Sequence, residues 1–272
     1  MRSPVRQPFP IALLTDFGYR DHYAGVMKGV IAGIAPGATL IDLTHGIPPQ
    51  SVTAGAIALR ESWRYFPRGT VFVAVVDPGV GTDRRPLAIE TLAGCRLVGP
   101  DNGLLFPAAD QAGIARIVEL TAPRYRLRHL SSTFHGRDIF APAAAYLWKG
   151  TRIDSLGPRV DKLATLHLER PVESDREISG TVMYIDGYGN LVTNIDRAGI
   201  DRLSARFSGR RLWVKILRVT PLPITNTYGE APKGAPLATF GSFELLEVAI
   251  RDGSAAKRFA AQPGTPVKVR VS

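Results

Sequence analysis

Cysteine is nearly absent: Cys95 is the only one in 272 residues. No disulfide can close within the chain and no cysteine cluster can hold a metal, which agrees with a reducing, cytoplasmic setting. Long apolar runs are missing too. Nothing approaches the roughly 18 uninterrupted apolar residues of a membrane span. Ile11 to Leu14 is too short for the apolar core of a signal peptide, so no membrane partner is expected. The chain has no GxGxxG and no GxxxxGKS/T, the signatures of dinucleotide and P-loop phosphate binding. It has no HExxH either, and its five histidines are not spaced as zinc ligands.

What is present is an ordinary globular balance, 45% hydrophobic and 21% charged, with a formal net charge of +10. That charge raises nucleic acid as a partner. Its distribution speaks against one, because Lys and Arg are scattered among acids and apolar residues. The densest stretch, Arg124 to His129, alternates as a strand would and could place three cations on one face. It supplies only Tyr125 as a stacking ring, where single-stranded nucleic-acid binders interleave several aromatics. The charge is read as a solubility feature, and no nucleic-acid partner is expected.

From residue 11 to about 160, strand-like and helix-like segments alternate. Ile11–Thr15, Thr39–Leu43, Val71–Val76, Leu87–Glu90 and Arg96–Val98 are short apolar or β-branched runs, while Tyr23–Ile34, Val52–Tyr65 and Pro142–Trp148 have helical periodicity. The alternation predicts an α/β domain whose mostly parallel sheet is covered by helices on both faces. After residue 160, short strand-like segments separated by Gly, Pro and Asn (Gly180–Asp186, Leu191–Asn194, Arg211–Val219, Ala238–Gly241, Leu245–Ile250 and Pro266–Val271) predict a small all-β barrel or sandwich. The segment Pro158 to Asp175 reads as the linker. The expected domains are 1–165 and 166–272.

Ligands of open α/β sheets bind beyond the carboxyl ends of the strands, and the polar groups gather there. Asp16 follows one apolar run, Thr44-His45 a second, Asp77 a third and Asp101-Asn102 a fourth. Asp16 reads either as a helix N-cap or as a carboxylate for a ribose diol. Asp21 reads as a cap or as the partner of a ligand ammonium. Asp77 opens DPGVGTDRR, a buried strand ending in an acid, a Pro-Gly turn and two arginines. His135 stands in TFHGRD before an Ala-rich helix, where Gly, Arg and Asp neighbours suit a functional imidazole. Asp16, His22, His45 and Asp77 could also converge on a metal. DGYGN at 186–190 has hairpin-turn chemistry, yet an aromatic between glycines could lay its ring on a heterocycle.

In order, TDFGYRD at 15–21, DLTHGIPP at 42–49, VVDPGVGTDRR at 75–85, GPDNGLL at 99–105, TFHGRD at 133–138 and DGYGNLVTNI at 186–195 resemble the S-adenosyl-L-methionine (SAM) hydroxide adenosyltransferase family. That is the hydrolytic branch of the group containing the SAM-dependent chlorinase and fluorinase. The resemblance extends through GSFELLEVAIRDGSAA at 241–256. It implies a Rossmann-like N-terminal domain, a β-barrel C-terminal domain, and a homotrimer with SAM held between subunits. It implies attack of water or hydroxide on ribose C5′, releasing adenosine and L-methionine, with no cofactor and no metal.

The resemblance also implies roles. Asp77, Arg84 and His135 match the family's catalytic set. Asp16 would take the ribose hydroxyls, Asp21 the methionyl ammonium, and Asp186 and Asn190 the amino-acid end. Tyr188 and Tyr228 are candidate stacking rings, and Ser242 a partner for the methionyl carboxylate. Gln50 stands where an aromatic often packs near adenine, and Phe243 where the halogenases have arginine. Halogenation is the alternative within the group, but the halogenases carry tyrosine at the position of Asp77, which sets this chain on the hydrolytic side. A non-catalytic basic nucleoside- or RNA-binding protein is the alternative outside it.

Overall fold

Ile11–Thr15 forms β1, an interior strand of a six-stranded sheet. Its side chains alternate between two cores: Ile11 and Leu13 join one apolar cluster, Ala12 and Leu14 the other. That is what the twofold repeat of a strand buried on both faces requires. In chain order the remaining elements of this unit are α1 (Tyr23–Ile34), β2 (Leu40–Thr44), α2 (Val52–Ser62), β3 (Val71–Val75), β4 (Pro86–Thr91), β5 (Arg96–Pro100), α3 (Phe106–Ala112), β6 (Ile114–Glu119) and α4 (Ala141–Trp148). The computed structural model describes residues 9–207 and 209–272. The chain divides into two units, the first ending at Leu168 and the second running Glu169–Ser272.

The sheet order is β2-β1-β3-β5-β4-β6. β2, β1, β3 and β5 run parallel, and β4 pairs antiparallel with both β5 and β6. Met27 and Ile31 of α1 pack with Ala144 and Leu147 of α4 over one face. Ala56 and Leu59 of α2 pack with Ala108 and Ala109 of α3 over the other. The expected mostly parallel sheet with helices on both faces is what forms, with β4 as its antiparallel member. The chain passes from β2 on one side of β1 to β3 on its other side, so the loops after these strands open a crevice where the strand order switches.

The second unit is antiparallel throughout its strand ladders: β7 (Val172–Glu173), β8 (Glu177–Ile185), β9 (Leu191–Asp196), β10 (Leu212–Ile216), β11 (Leu222–Pro223), β12 (Pro236–Phe240), β13 (Leu245–Ile250) and β14 (Pro266–Val271). The order is β11-β10-β14-β8-β9-β13-β12, with β7 beside β8. Just past β11 the Thr225 N–H donates to Ala238 O of β12 at 2.8 Å, which nearly closes the sheet into a barrel around Ile178, Leu191, Val214, Leu246 and Val269. Two helices join it, α5 (Arg197–Arg206) capped by Asp196 and α6 (Ala255–Phe259) capped by Ser254.

The alternation at Arg124 to His129 does not become a strand. Arg124 to His129 lies in a tight turn and irregular chain, because Tyr125 N–H bonds back to Ala122 O and Arg126 N–H to Pro123 O. Those bonds curl the backbone, and Tyr125 packs edge-on against Tyr146 with ring centroids 5.0 Å apart. Its alternation therefore does not set the cations on one face of a strand.

Candidate active site

β3 is wholly buried, and Val76 continues it to Asp77. Asn102 Nδ2 donates to Val76 O at 2.8 Å, holding the strand end in place. Beyond Asp77 the Pro78-Gly79 turn closes with Val80 N–H on Asp77 O and Thr82 N–H on Gly79 O. The chain thus folds back, and Arg84 meets Asp77 as a two-point pair. Arg84 Nε donates to Asp77 Oδ1 at 2.9 Å, and Arg84 Nη2 donates to Asp77 Oδ2. The same Nη2 lies 2.8 Å from His135 Nδ1. The pair is sequestered, its side chains 8% and 6% exposed.

Arginine has only donors, so His135 Nδ1 accepts and the imidazole proton sits on Nε2. Burial pushes the His135 pKa below its ordinary value, and the Arg84 charge pushes it further the same way. His135 is therefore neutral at pH 7. Phe140 lies under the Arg84 guanidinium, 5.3 Å from ring centroid to Cζ. Arg84 Nη1 is buried without a hydrogen-bond partner among the described residues, an unspent donor beside the carboxylate and the imidazole.

His135 precedes a π-helical turn, Gly136–Phe140, that runs into α4. Asp138, fully buried, fixes this loop: it accepts from Ser131 N–H at 2.7 Å and from Arg137 Nε at 2.6 Å. A cleft of about 420 Å³ opens here, with Asp16, Phe17, Tyr23, Gln50, Asp77 and His135 on its walls. Asp16 does not cap α1, which starts at Tyr23 after His22 without a side-chain cap. Its Oδ2 accepts from Gln50 N–H at 2.8 Å, and Gln50 sits in the left-handed region at φ 63°. Asp21 is exposed just ahead of α1. The suggested metal set of Asp16, His22, His45 and Asp77 does not gather. His45 is spent on Thr15, Asp77 on Arg84, and His22 stacks by Tyr23. Among the described residues no cluster of three His, Cys, Asp or Glu side chains could hold a metal ion.

In the second unit, Asp186 folds the 186–190 loop on itself. Its Oδ1 accepts from Tyr188 N–H and Asn190 N–H, and its Oδ2 from the buried Asn190 amide. Tyr188 projects outward, 84% exposed. Ser242 is exposed in the turn before β13. Tyr228 donates to Glu247 Oε2 at 2.5 Å. Burial raises the pKa of both partners, and Asp186 raises Glu247 further.

The family model described as the SAM hydroxide adenosyltransferase N-terminal domain matches residues 11–157, and that of the C-terminal domain matches residues 180–268. The chain belongs to the SAM hydroxide adenosyltransferase family. It is 40% identical to a (R)-S-adenosyl-L-methionine hydrolase of Thermus thermophilus over 96% of its own length and 99% of the relative's. A fluorinase of Nocardia brasiliensis is more distant, 28% identical over 98% of each chain. The crystal structure of an uncharacterized conserved protein from Thermotoga maritima superposes with a TM-score of 0.89 at 34% identity, covering 96% of this chain and 99% of that one.

Set against the family motifs, the first unit brings Asp16, Asp77, Arg84 and His135 to one end of its sheet. Asp186, Tyr188, Asn190, Tyr228 and Ser242 belong to the second unit. Several groups at these places were not anticipated from sequence. Phe17, Tyr23 and Phe134 pack against one another with centroids 5.3 to 5.8 Å apart and form an aromatic wall of the cleft. Phe17 and Phe134 lie inside TDFG and TFHG and Tyr23 stands two residues after Asp21, and that nearness was the available signal. Glu247, the acceptor for Tyr228, sits within an apolar strand and had none.

Proposed function

We propose that this protein hydrolyses S-adenosyl-L-methionine to adenosine and L-methionine, water attacking ribose C5′. Family membership and the hydrolase relative support the reaction. The observation that carries it is the Asp77–Arg84–His135 network, which brings an acid and an imidazole to the wall of one cleft. A sulfonium is already a good leaving group, so the enzyme's main task is to align and activate oxygen. The Nε2–H of His135 donates toward that oxygen and Asp77 accepts its proton, while Arg84 holds both groups in place. His135 Nδ1 is committed to Arg84, which favours Asp77 over His135 as the acceptor. As O–C5′ forms, C5′–S breaks and its electron pair stays on sulfur, giving the neutral thioether of methionine. The proton leaves through Asp77 to solvent.

In this reading Asp16 holds the ribose hydroxyls and Asp21 the ammonium. Asp186, Asn190 and Ser242 serve the amino-acid end, and Tyr188 and Tyr228 stack. The working assembly is a homotrimer with active sites at subunit interfaces, in the cytoplasm. The chemistry calls for no cofactor and no metal, and for no nucleic-acid or membrane partner. Asp77 disfavours a halide nucleophile, because an anionic carboxylate repels chloride and fluoride.

The test is incubation with each sulfonium epimer of SAM in ¹⁸O water, with EDTA and, separately, with high chloride. Adenosine labelled at its 5′-hydroxyl, unaffected by EDTA, is the expected product. The R epimer, after which the relative is named, is the expected better substrate. Chlorinated adenosine, or methylthioadenosine with homoserine lactone, would overturn the proposal. Equilibrium sedimentation decides the trimer.

A further inference from the structure

The DLTHG segment plays no part in the chemistry above, yet it holds a fully buried histidine. His45 follows β2 with no exposed surface. Its Nδ1 is 2.7 Å from Thr15 Oγ1, and its Nε2 is 3.2 Å from Asp42 Oδ1, at ion-pair distance but without hydrogen-bond alignment. A neutral imidazole that turns Nε2 toward a carboxylate keeps its proton there, so Nδ1 accepts from the Thr15 hydroxyl. Asp42 is anchored by Lys28 Nζ at 2.6 Å, and the Tyr19 ring stands edge-on to the imidazole at 5.2 Å. Thr15 Oγ1 accepts in turn from Phe17 N–H at 3.2 Å.

The backbones of the two strand-end loops are joined at the same place. Gly18 N–H donates to His45 O at 2.7 Å, and Ile47 N–H to Thr15 O at 3.4 Å. Asp16 lies between Thr15 and Phe17, and its own tie to Gln50 N–H crosses to the second loop. The bonds of Thr15, Phe17 and Gly18 therefore fix the backbone on either side of one carboxylate.

We infer that His45 is a positioning residue for Asp16: the Asp42–His45–Thr15 chain aims the carboxylate that grips the ribose diol, and so sets substrate affinity without touching the reacting carbon. The inference rests on the hydrolase reading. It is tested by steady-state kinetics of Thr15→Val, Thr15→Ser, Asp16→Ala and the Thr15→Val/Asp16→Ala pair, with thermal unfolding alongside. Thr15→Val keeps the shape and deletes the hydroxyl; loss of its two bonds, to His45 Nδ1 and from Phe17 N–H, should raise KM for SAM about tenfold with kcat within about twofold. Thr15→Ser should behave as wild type. In the Asp16→Ala background Thr15→Val should add nothing to KM, because the group it positions is gone. A lowered Tm with unchanged KM, a loss confined to kcat, or a full tenfold effect without Asp16 would each overturn the inference. If Thr15→Val does not fold, His45→Gln takes its place in the same cycle. A wild-type chain that leaves SAM intact would remove the hydrolase reading and this inference with it, whereas active wild type with an unmoved variant KM removes this inference alone.

Discussion

Gly81 turns at φ 80° directly against the carbonyl of Ser132, and a Cβ there would stand 2.4 Å from that oxygen. The contact ties the loop carrying Asp77 and Arg84 to the loop carrying His135. Gly81→Ala should cost at least about 1 kcal/mol for the left-handed backbone alone. The clash must also push the loops apart, and a displacement near 1 Å can cost roughly 10²-fold in rate. Gly79→Ala is the control, since its Cβ would meet only Arg84 Cγ at 3.4 Å and Thr82 Oγ1 at 3.5 Å. Turnover near wild type in Gly81→Ala would show that the two loops do not depend on this contact.

Asp77→Asn keeps the size of the side chain and removes its charge. If Asp77 accepts the proton of the attacking water, kcat should fall by roughly 10²–10⁴ with KM little changed. Arg84→Ala strips both the carboxylate and the imidazole of a donor. The double variant should lose far less than the product of the single losses, as groups acting as a unit do. Multiplicative losses, or an effect of Asp77→Asn confined to KM, would assign the carboxylate to binding.

His135 gives the reaction an acid limb. Only neutral His135 can accept from Arg84; once protonated it sets two cations against each other. Burial and the charges of Arg84 and Arg126 lower its pKa, while Asp77 and Asp138 oppose them. The midpoint of the acid limb in kcat/KM should therefore lie below the ordinary histidine value of 6.5, with a one-proton slope. A limb centred above pH 7, or the same limb in a His135→Gln variant, would be the contrary result.

Elements with clean punctuation were legible in the sequence. β1 ends at Thr15 before Asp-Phe-Gly, α1 ends before Ala-Pro-Gly, and β13 and β14 stand between turn residues. α3 was not, because it opens on Phe106-Pro107 and buries mainly alanines, a weak periodic signal. α5 buries only Gly199, Ile200 and Leu203 and otherwise reads as polar connection. Strand-end placement singled out Asp16 and Asp77. The bond from Arg84 to His135 spans 51 residues of chain, and no spacing rule reaches that far. The burial of His45 was equally silent, since a Thr-His-Gly turn looks the same in a core as on a surface.

Two glutamates of the second unit should answer pH with opposite sign. Glu177 takes hydrogen bonds from Lys268 Nζ at 2.7 Å, Ser179 Oγ at 2.7 Å and Arg270 Nε, and its pKa is pushed down to about 2, the Lys268 bond contributing most. A carboxylate with a depressed folded pKa adds stability above its unfolded value of 4.5 and loses it as pH falls toward 2. Glu247 is the reverse case. Burial raises its pKa above 4.5, so its ionised form weighs against the fold, and the cost appears as pH rises through the folded value. Glu177→Gln should lower Tm at pH 7, the deficit shrinking as pH drops below 4.5. Glu247→Gln keeps an acceptor for the Tyr228 hydroxyl and removes the buried charge, so it should raise Tm at pH 7 and leave it unchanged at pH 4. Melting curves at the two pH values decide both cases. A Glu247→Gln variant that melts lower at pH 7 would mean that the Tyr228 bond to the anion outweighs the desolvation of the carboxylate.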